Sequence, residues 1–544
     1  MEPMTSPWWR EGVIYHVYLR SFSDSDGDGL GDLPGLISRL DHLNGRQDSL
    51  GVDAIWISPF YPSPDKDFGY DVQDYTAVDP RYGTLADFDR LVSEAHRRGI
   101  RILLDLVFNH TSDQHPWFVE SRTTRDHPKR DWYLWRDPQP GAAPPNNWQS
   151  VFGGSAWEWD AASRQYYYHM FLKEQPDLNW RNPAVRMALL DVVRFWLERG
   201  VDGFRLDVFN LWYKHPSLPD NPPRLGRRPF DWQSHIHDAD QPEMHAALAD
   251  LRALLDSYPE RAVVGELFGR NPDLAAAYCS PGKLNMVFNF EFTDRPWRAS
   301  AFLDSIQRWE TALGGSGWPS YVLSNHDLPR HVSRYGGGRP DEIAKVAAAM
   351  LLTLRGTPFV YYGEEIGLPD LRLRRVEVVD PPGRRYWPFY KGRDRARGPM
   401  PWDATAGAGF TRGRPWLPLH PGFPERNVAV QQEDPHSVLS FYRALLRLRR
   451  QSPALRRGDF RALTPRPGDG LAYLRRAESH SALVALNLSS RPLTLRLDPE
   501  PQEQSWELRL SSLCSSRASV DRHGIQLGPY EAAIFLPADS LPTT

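Results

Sequence analysis

Apolar positions along the chain fall into short continuous runs separated by longer segments with a helical period. Val13 to Tyr18, Val52 to Ile57 and Ile100 to Phe108 are such runs, and so are Ala262 to Glu266, Leu284 to Phe290, Tyr321 to Asn325 and Phe359 to Tyr362. Runs of this length with few polar residues are what strands buried on both faces require. Between them, Leu33 to Leu43, Asp87 to Arg98, Val185 to Arg199, Met244 to Asp256 and Glu342 to Arg355 carry the spacing of amphipathic helices. Gly203 to Asp207 (GFRLD) adds a strand in which Phe204, Leu206 and Val208 alternate with Arg205 and Asp207. Strand starts near 13, 52, 100, 203, 263, 285, 321 and 358, with helices between, predict an α/β chain folded as a (β/α)8 TIM barrel.

The rhythm breaks in four places. Residues 110–180 are rich in Pro, Asn, Trp and Tyr and predict an irregular subdomain inserted after the third strand. Phe209 to Asp240 and Glu364 to Gly413 read as long loops. His436 to Arg450 is amphipathic and would close the barrel. Beyond it come short alternating runs such as LAYLRR, SALVALNL and AAIFLP, the pattern of an antiparallel β-sandwich. The expected division is therefore a barrel at 1–109 and 181–454, an insertion at 110–180 and an all-β domain at 455–544.

Composition narrows the function. Lys plus Arg total 65 against 68 for Asp plus Glu, a net charge of −3, which gives no reason to expect nucleic acid or an anionic membrane as partner. Two cysteines, Cys279 and Cys514, form neither a disulfide framework nor a metal-ligand spacing. No basic-then-apolar leader and no apolar run of about 18 residues is present, so a cytoplasmic location is expected.

Chemistry concentrates at strand ends. Arg205 and Asp207 share one face of their strand, and a fixed guanidinium keeps a neighbouring carboxylate ionised. Asp207, Glu266 and Asp327 all fall at or just past the carboxyl ends of predicted strands, the face on which such barrels hold active sites. Three convergent carboxylates suit glycosyl transfer, with one nucleophile, one acid/base and one stabiliser of the cationic sugar. Separately, Asp24, Asp26, Asp28 and Asp32 alternate with small residues in DSDGDGLGD, a loop able to wrap oxygens, including the Leu30 carbonyl, around a hard cation. Position twelve is Gly35 where an EF-hand needs Glu, which excludes that motif. Calcium is expected, with magnesium second.

The motifs DLVFNH (105–110), QPDLNW (175–180), GFRLD (203–207), GE (265–266) and SNHD (324–327) stand in this order, followed by WPFYKGRDRARGPMPWD (387–403). With them the chain, over residues 7 to 537, resembles the α-amylase family of glycoside hydrolases in its α-glucosidase and oligo-1,6-glucosidase branch. The resemblance implies Asp207 as nucleophile, Glu266 as acid/base and Asp327 as transition-state stabiliser, with Arg205 holding the nucleophile. It implies His110 and His326 as hydrogen-bonding partners of the glucose in the cleaving subsite, and Tyr70 as the ring stacked beneath that sugar. Asp67 would grip the non-reducing end, paired with Arg397, with Arg393 as the rival partner. Asp105 would be a structural acid at the cleft base. Gly398 and Pro401 depart from the branch, which usually carries Thr and Gln there. Val208 is often associated with α-1,6 cleavage. The implied activity is a retaining exo-α-glucosidase acting on short α-glucosides, with a glucosyltransferase or sugar isomerase as the alternative. The partner is an oligosaccharide or disaccharide, and the protein a monomer or small homo-oligomer.

Overall fold

The computed structural model describes residues 6–315, 317–464, 468–498, 505–521 and 524–538. The outer limits of the expected domains, 1 and 544, lie outside these residues. Eight parallel strands form a closed barrel: β1 (Ile14–Val17), β2 (Ala54–Ile57), β3 (Arg101–Leu106), β4 (Gly203–Leu206), β5 (Ala262–Gly265), β6 (Met286–Asn289), β7 (Ser320–Val322) and β8 (Thr357–Tyr361). Each pairs with its neighbours in chain order, and β1 closes on β8 through Ile14 opposite Phe359. Nearly every strand residue is buried, because the barrel interior takes one face and the helical ring the other. The α/β class and the barrel read from the sequence are thus what the chain adopts.

The helices follow from their sequences with two instructive differences. The helix expected from Asp87 begins two residues earlier, at Leu85, because Thr84 accepts from the Asp87 N–H while the Asp87 carboxylate accepts from the Thr84 N–H. This capping box satisfies two otherwise orphaned donors. Its inner face, Phe88, Leu91, Val92 and Ala95, is buried, and each large side chain contributes about 1.5–3 kcal/mol. The segment expected to be one helix over Leu33 to Leu43 is two, Leu33–Ser38 and Leu40–Leu43. At the break, the Arg39 guanidinium donates to the Gly409 carbonyl (2.9 Å) and lies 4.5 Å from the Trp402 ring. That contact with a distant loop replaces the continuous helix.

Between β3 and β4, three short antiparallel strands (Trp135–Arg136, Trp157–Asp160 and Gln165–Tyr168) form a small sheet. Bridges from His110 to Asp177 and from Tyr133 to Leu178 tie this insertion to the barrel end. Past residue 458 a five-stranded and a three-stranded antiparallel sheet enclose a common core containing Leu474, Leu483, Ile525 and Phe535. No described helix is long and apolar enough to cross a membrane.

One buried arginine of the β domain, Arg475, fastens that domain to the barrel, next to a second buried arginine, Arg449, that belongs to the barrel's own last long helix. The last carbonyls of helix Pro340–Thr353 lack partners within the helix. Arg475 donates to the Thr353 and Gly458 carbonyls, and Arg449 to those of Leu352 (2.8 Å), Leu455 (2.9 Å) and Gly356 (3.1 Å). Burial pushes the guanidinium of Arg475 down to about 9 and that of Arg449 to about 10. The Arg475→Met variant strands the Thr353 and Gly458 carbonyls and is expected to lose about 2–4 kcal/mol. Calorimetry checks this: a melting temperature within about 1 °C of the parent would remove Arg475 from the docking contact.

Candidate active site

The acids identified in the sequence meet at the carboxyl end of the barrel because β3, β4 and β5 are adjacent. Strand register sets Asp105 beside Arg205, and Asp207 and Glu266 follow directly on β4 and β5. Arg205 is fully buried and donates from Nη1 to Asp105 (2.6 Å) and Asp207 (2.8 Å), and from Nη2 to Glu266. Its guanidinium carbon lies 5.0 Å from the Trp56 ring, which closes the floor. The side chains of Asp207, Glu266 and Asp327 retain 10%, 13% and 32% exposure. All three therefore still reach the open cleft.

These carboxylates have unequal proton affinities. Burial raises Asp207 to about 6, against the pull of Arg205 and with Asp105 adding to the rise. Burial also acts against ionisation of Asp327, but His326, Arg393, Arg397 and Arg205 outweigh it and hold the acid well below the usual range. His326 itself is pushed down to about 3, chiefly by burial, so it is neutral near pH 7. The standing positive charge around Asp327 is then that of the arginines. Such divergent affinities within one cleft are typical of reactive sites.

One expected pairing is corrected. Asp67 pairs with Arg393 (Nη2 to Oδ1, 2.5 Å), not with Arg397. Arg393 also donates to Asp380 (Nε, 2.8 Å) and reaches Asp327 at 3.4 Å. Arg397 instead donates from Nη2 to Asp327 (3.0 Å) and from Nε to the His326 carbonyl (2.8 Å). The reason is local geometry: Arg393 precedes the short 3-10 helix Asp394–Arg397, and that turn aims the two guanidinium groups at different acids.

The remaining residues form one network. The Tyr70 hydroxyl bonds Asp105 Oδ2 (3.0 Å) and His326 Nε2 (2.7 Å), and the two rings stack with centroids 5.2 Å apart. His110 Nε2 lies 2.9 Å from the Tyr70 carbonyl and 3.0 Å from Gln175 Nε2. Gln175 also donates to Asp67 (3.2 Å), joining the Asp67–Arg393 pair to His110. Gln175 and Asp380 were not singled out from the sequence. Gln175 opens the QPDLNW motif and was within reach, whereas nothing local marks Asp380. Beneath His110, Lys214 donates to Asp177 (2.5 Å) and Asn109 (2.9 Å). Val208, directly after Asp207, has φ 32° and ψ 43°. Left-handed backbone is costly for a β-branched residue and persists where surrounding structure enforces it, often at a reactive site.

On the far side of Glu266 and Asp327 is a cleft of about 660 Å³, with Phe230, Phe268, Phe290 and Leu328 in its walls. In the aspartate loop, carboxylate oxygens of Asp24, Asp26 and Asp28 all lie within 4.8 Å of one another. Asp32, expected beside them, stands apart, because its carboxylate caps helix Leu33–Ser38 at the Gly35 N–H (2.6 Å) and accepts from Ser25 N–H (2.8 Å). The Leu30 N–H donates to Asp28 (2.7 Å). Three crowded carboxylates repel one another, a donor set that suits a hard divalent cation.

Comparisons with known proteins agree with this geometry. A family model described as alpha amylase, catalytic domain, matches residues 16–458. A probable alpha-glucosidase of Rhizobium meliloti is 47% identical over 90% of this chain and 91% of its own length. An oligo-1,6-glucosidase of Parageobacillus thermoglucosidasius is 40% identical over 98% and 99%. Among solved structures, the alpha-glucosyl transfer enzyme XgtA superposes with a TM-score of 0.92 at 44% identity, covering 98% of this chain and 100% of that one. The trehalulose synthase MutB of Pseudomonas mesoacidophila gives 0.89 at 37% identity, over 98% and 99%. The chain therefore belongs to the α-amylase family of glycoside hydrolases, with homologues named α-glucosidase and oligo-1,6-glucosidase.

Proposed function

We propose that the protein is a retaining, exo-acting α-glucosidase that releases glucose from the non-reducing end of short α-1,4- or α-1,6-linked glucosides. The observation that carries this reading is the single guanidinium of Arg205 gripping Asp207 and Glu266 together. Acids accepting from neighbouring nitrogens of one planar fork suit the roughly 5–5.5 Å separation of retention better than the wider gap of inversion. Arg205 occupies Asp207 Oδ1 and leaves Oδ2 to attack the anomeric carbon. Glu266 gives a proton to the glycosidic oxygen as that bond breaks, and a covalent glucosyl ester forms on Asp207. Glu266, now ionised, takes a proton from the incoming water, whose oxygen displaces Asp207 and restores the α configuration. Asp327 carries the charge that stabilises the cationic sugar in both steps. The Asp67–Arg393 pair suits a terminal glucose hydroxyl and stops a longer chain from threading through.

A second outcome of the same intermediate is transfer to a sugar hydroxyl. The cleft beside Glu266 has room for an acceptor, and its aromatic walls favour a sugar face over loose water. XgtA, a named transfer enzyme, has the same fold at 44% identity. Asp24, Asp26 and Asp28 would hold a calcium ion, or magnesium in its place, that stiffens their loop and takes no part in the chemistry.

The test of this reading is the anomer formed first. NMR of the wild-type reaction with maltose and isomaltose is expected to show α-glucose before mutarotation, and initial β-glucose would end the proposal. The Asp207→Asn variant is expected to lose at least about 10⁴-fold in turnover with its melting temperature retained. Activity within about tenfold of wild type would remove Asp207 as nucleophile.

Only the ionised form of Asp207 attacks. With its affinity raised to about 6, kcat/KM is expected to fall as pH drops through about 6 and to level off above it. Removing the cation in Arg205→Met moves this acid limb to higher pH. An unmoved limb in the pH–rate profile would assign it to another group. Chelation is expected to lower the melting temperature by several degrees and calcium to restore it, as metal-linked stability requires. An unchanged melt, with no metal by elemental analysis, would empty the aspartate loop of its role.

A further inference from the structure

Behind the turn that bears Arg393 and Arg397 lies another cleft, of about 790 Å³. It is walled by segments that follow β7 and β8, including Gly336 to Gly338, Asp370 to Leu373, and Trp387 with Lys391. Loops after the seventh and eighth strands of this barrel type frequently seat phosphate groups. Arg372, Lys391, Arg395 and Arg426 line the cleft against a single carboxylate, Asp370, although the whole chain has a net charge of −3. Two of these cations are already neutralised, Arg395 by Asp370 (3.0 Å) and Arg426 by Asp341 (2.6 Å). Among the described residues, Arg372 and Lys391 have neither an ion-pair nor a hydrogen-bond partner.

His420, on the same wall, registers the imbalance. Burial first, and then Arg426, Arg330 and Arg372, disfavour its protonation, and no acid acts the other way. Isolated surface arginines are ordinarily just solvated. Here two uncompensated cations, both exposed, line the same cleft as a half-buried indole, Trp387. A guanidinium and an ammonium together match the charge and acceptor geometry of a phosphate dianion, and the indole face suits a sugar ring.

We propose that this cleft binds a phosphate group, free or carried on a hexose, at Arg372 and Lys391, with any sugar ring against Trp387. The site is separate from the pocket closed by Asp67, although Arg395 shares a turn with Arg393 and Arg397.

Isothermal titration of the full-length protein tests it, with saturating glucose present to fill the catalytic pocket. The probes are inorganic phosphate and glucose 6-phosphate. Saturable binding of phosphate that weakens with added salt is expected. Substituting Arg372→Ala and Lys391→Ala together should weaken it about tenfold or more while turnover of maltose without phosphate stays unchanged. Tighter binding of glucose 6-phosphate that is lost in Trp387→Ala assigns the site to a hexose phosphate, whereas equal affinities assign it to the free ion. Absence of saturable binding by either probe overturns the proposal, and so does affinity that survives the double substitution.

Discussion

The active centre depends on one buried cation. Arg205 has no water to solvate it, so its charge is tolerable only among the acids it touches. The dependence is mutual. Asp105, Asp207 and Glu266 converge from three neighbouring strands and would repel one another without it. The barrel supplies the convergence and the guanidinium makes it bearable. Below it, His16 stacks on Trp56 with ring centroids 3.6 Å apart, and burial drives its proton affinity well below the ordinary value. The floor therefore adds no second positive charge, and Arg205 acts on its three acids without a competitor beneath it.

A second electrostatic centre lies across the cleft, built on opposite terms. There one acid, Asp327, faces two arginines, and the excess of cations keeps it ionised where Asp207 holds its proton up to about 6. The contrast comes from which loops meet. Arg393 and Arg397 arrive on a turn far along the chain, after β8, whereas Arg205 is fixed within a strand. The first centre is set by sheet register and the second by loop docking. This difference also governs what each reveals in the sequence.

Features fixed by continuous local patterning were legible. The eight strands begin within two residues of their expected starts, because a run buried on both faces admits few polar residues. Asp207 and Glu266 could be placed because they directly follow such runs. The ends of helices were less visible: the capping at Thr84 carries a sequence mark, but the break at Arg39 is imposed by Gly409 and Trp402, some 370 residues away. The same holds for the Asp67 partner. Arg393 and Arg397 stand four positions apart in one Arg-rich segment, and only the fold decides which reaches an acid 326 residues distant. Asp380, which fixes Arg393 from behind, carries no local mark at all. In the aspartate loop the alternation of acids was plain, but not that Asp32 would turn inward to cap a helix.

If the pocket acts from the chain end as proposed, the bridge between Asp67 and Arg393 also has a kinetic meaning. A chamber sealed at its inner end has one doorway, and whatever occupies the outer half must depart before anything deeper can follow. On the proposed chemistry, the aglycone leaves first and its place becomes the only route for the second reactant. Glucose goes last, through the same opening. On that same proposal, free glucose returning to the chamber would exclude new substrate, and competitive inhibition by the product would follow from the closed end.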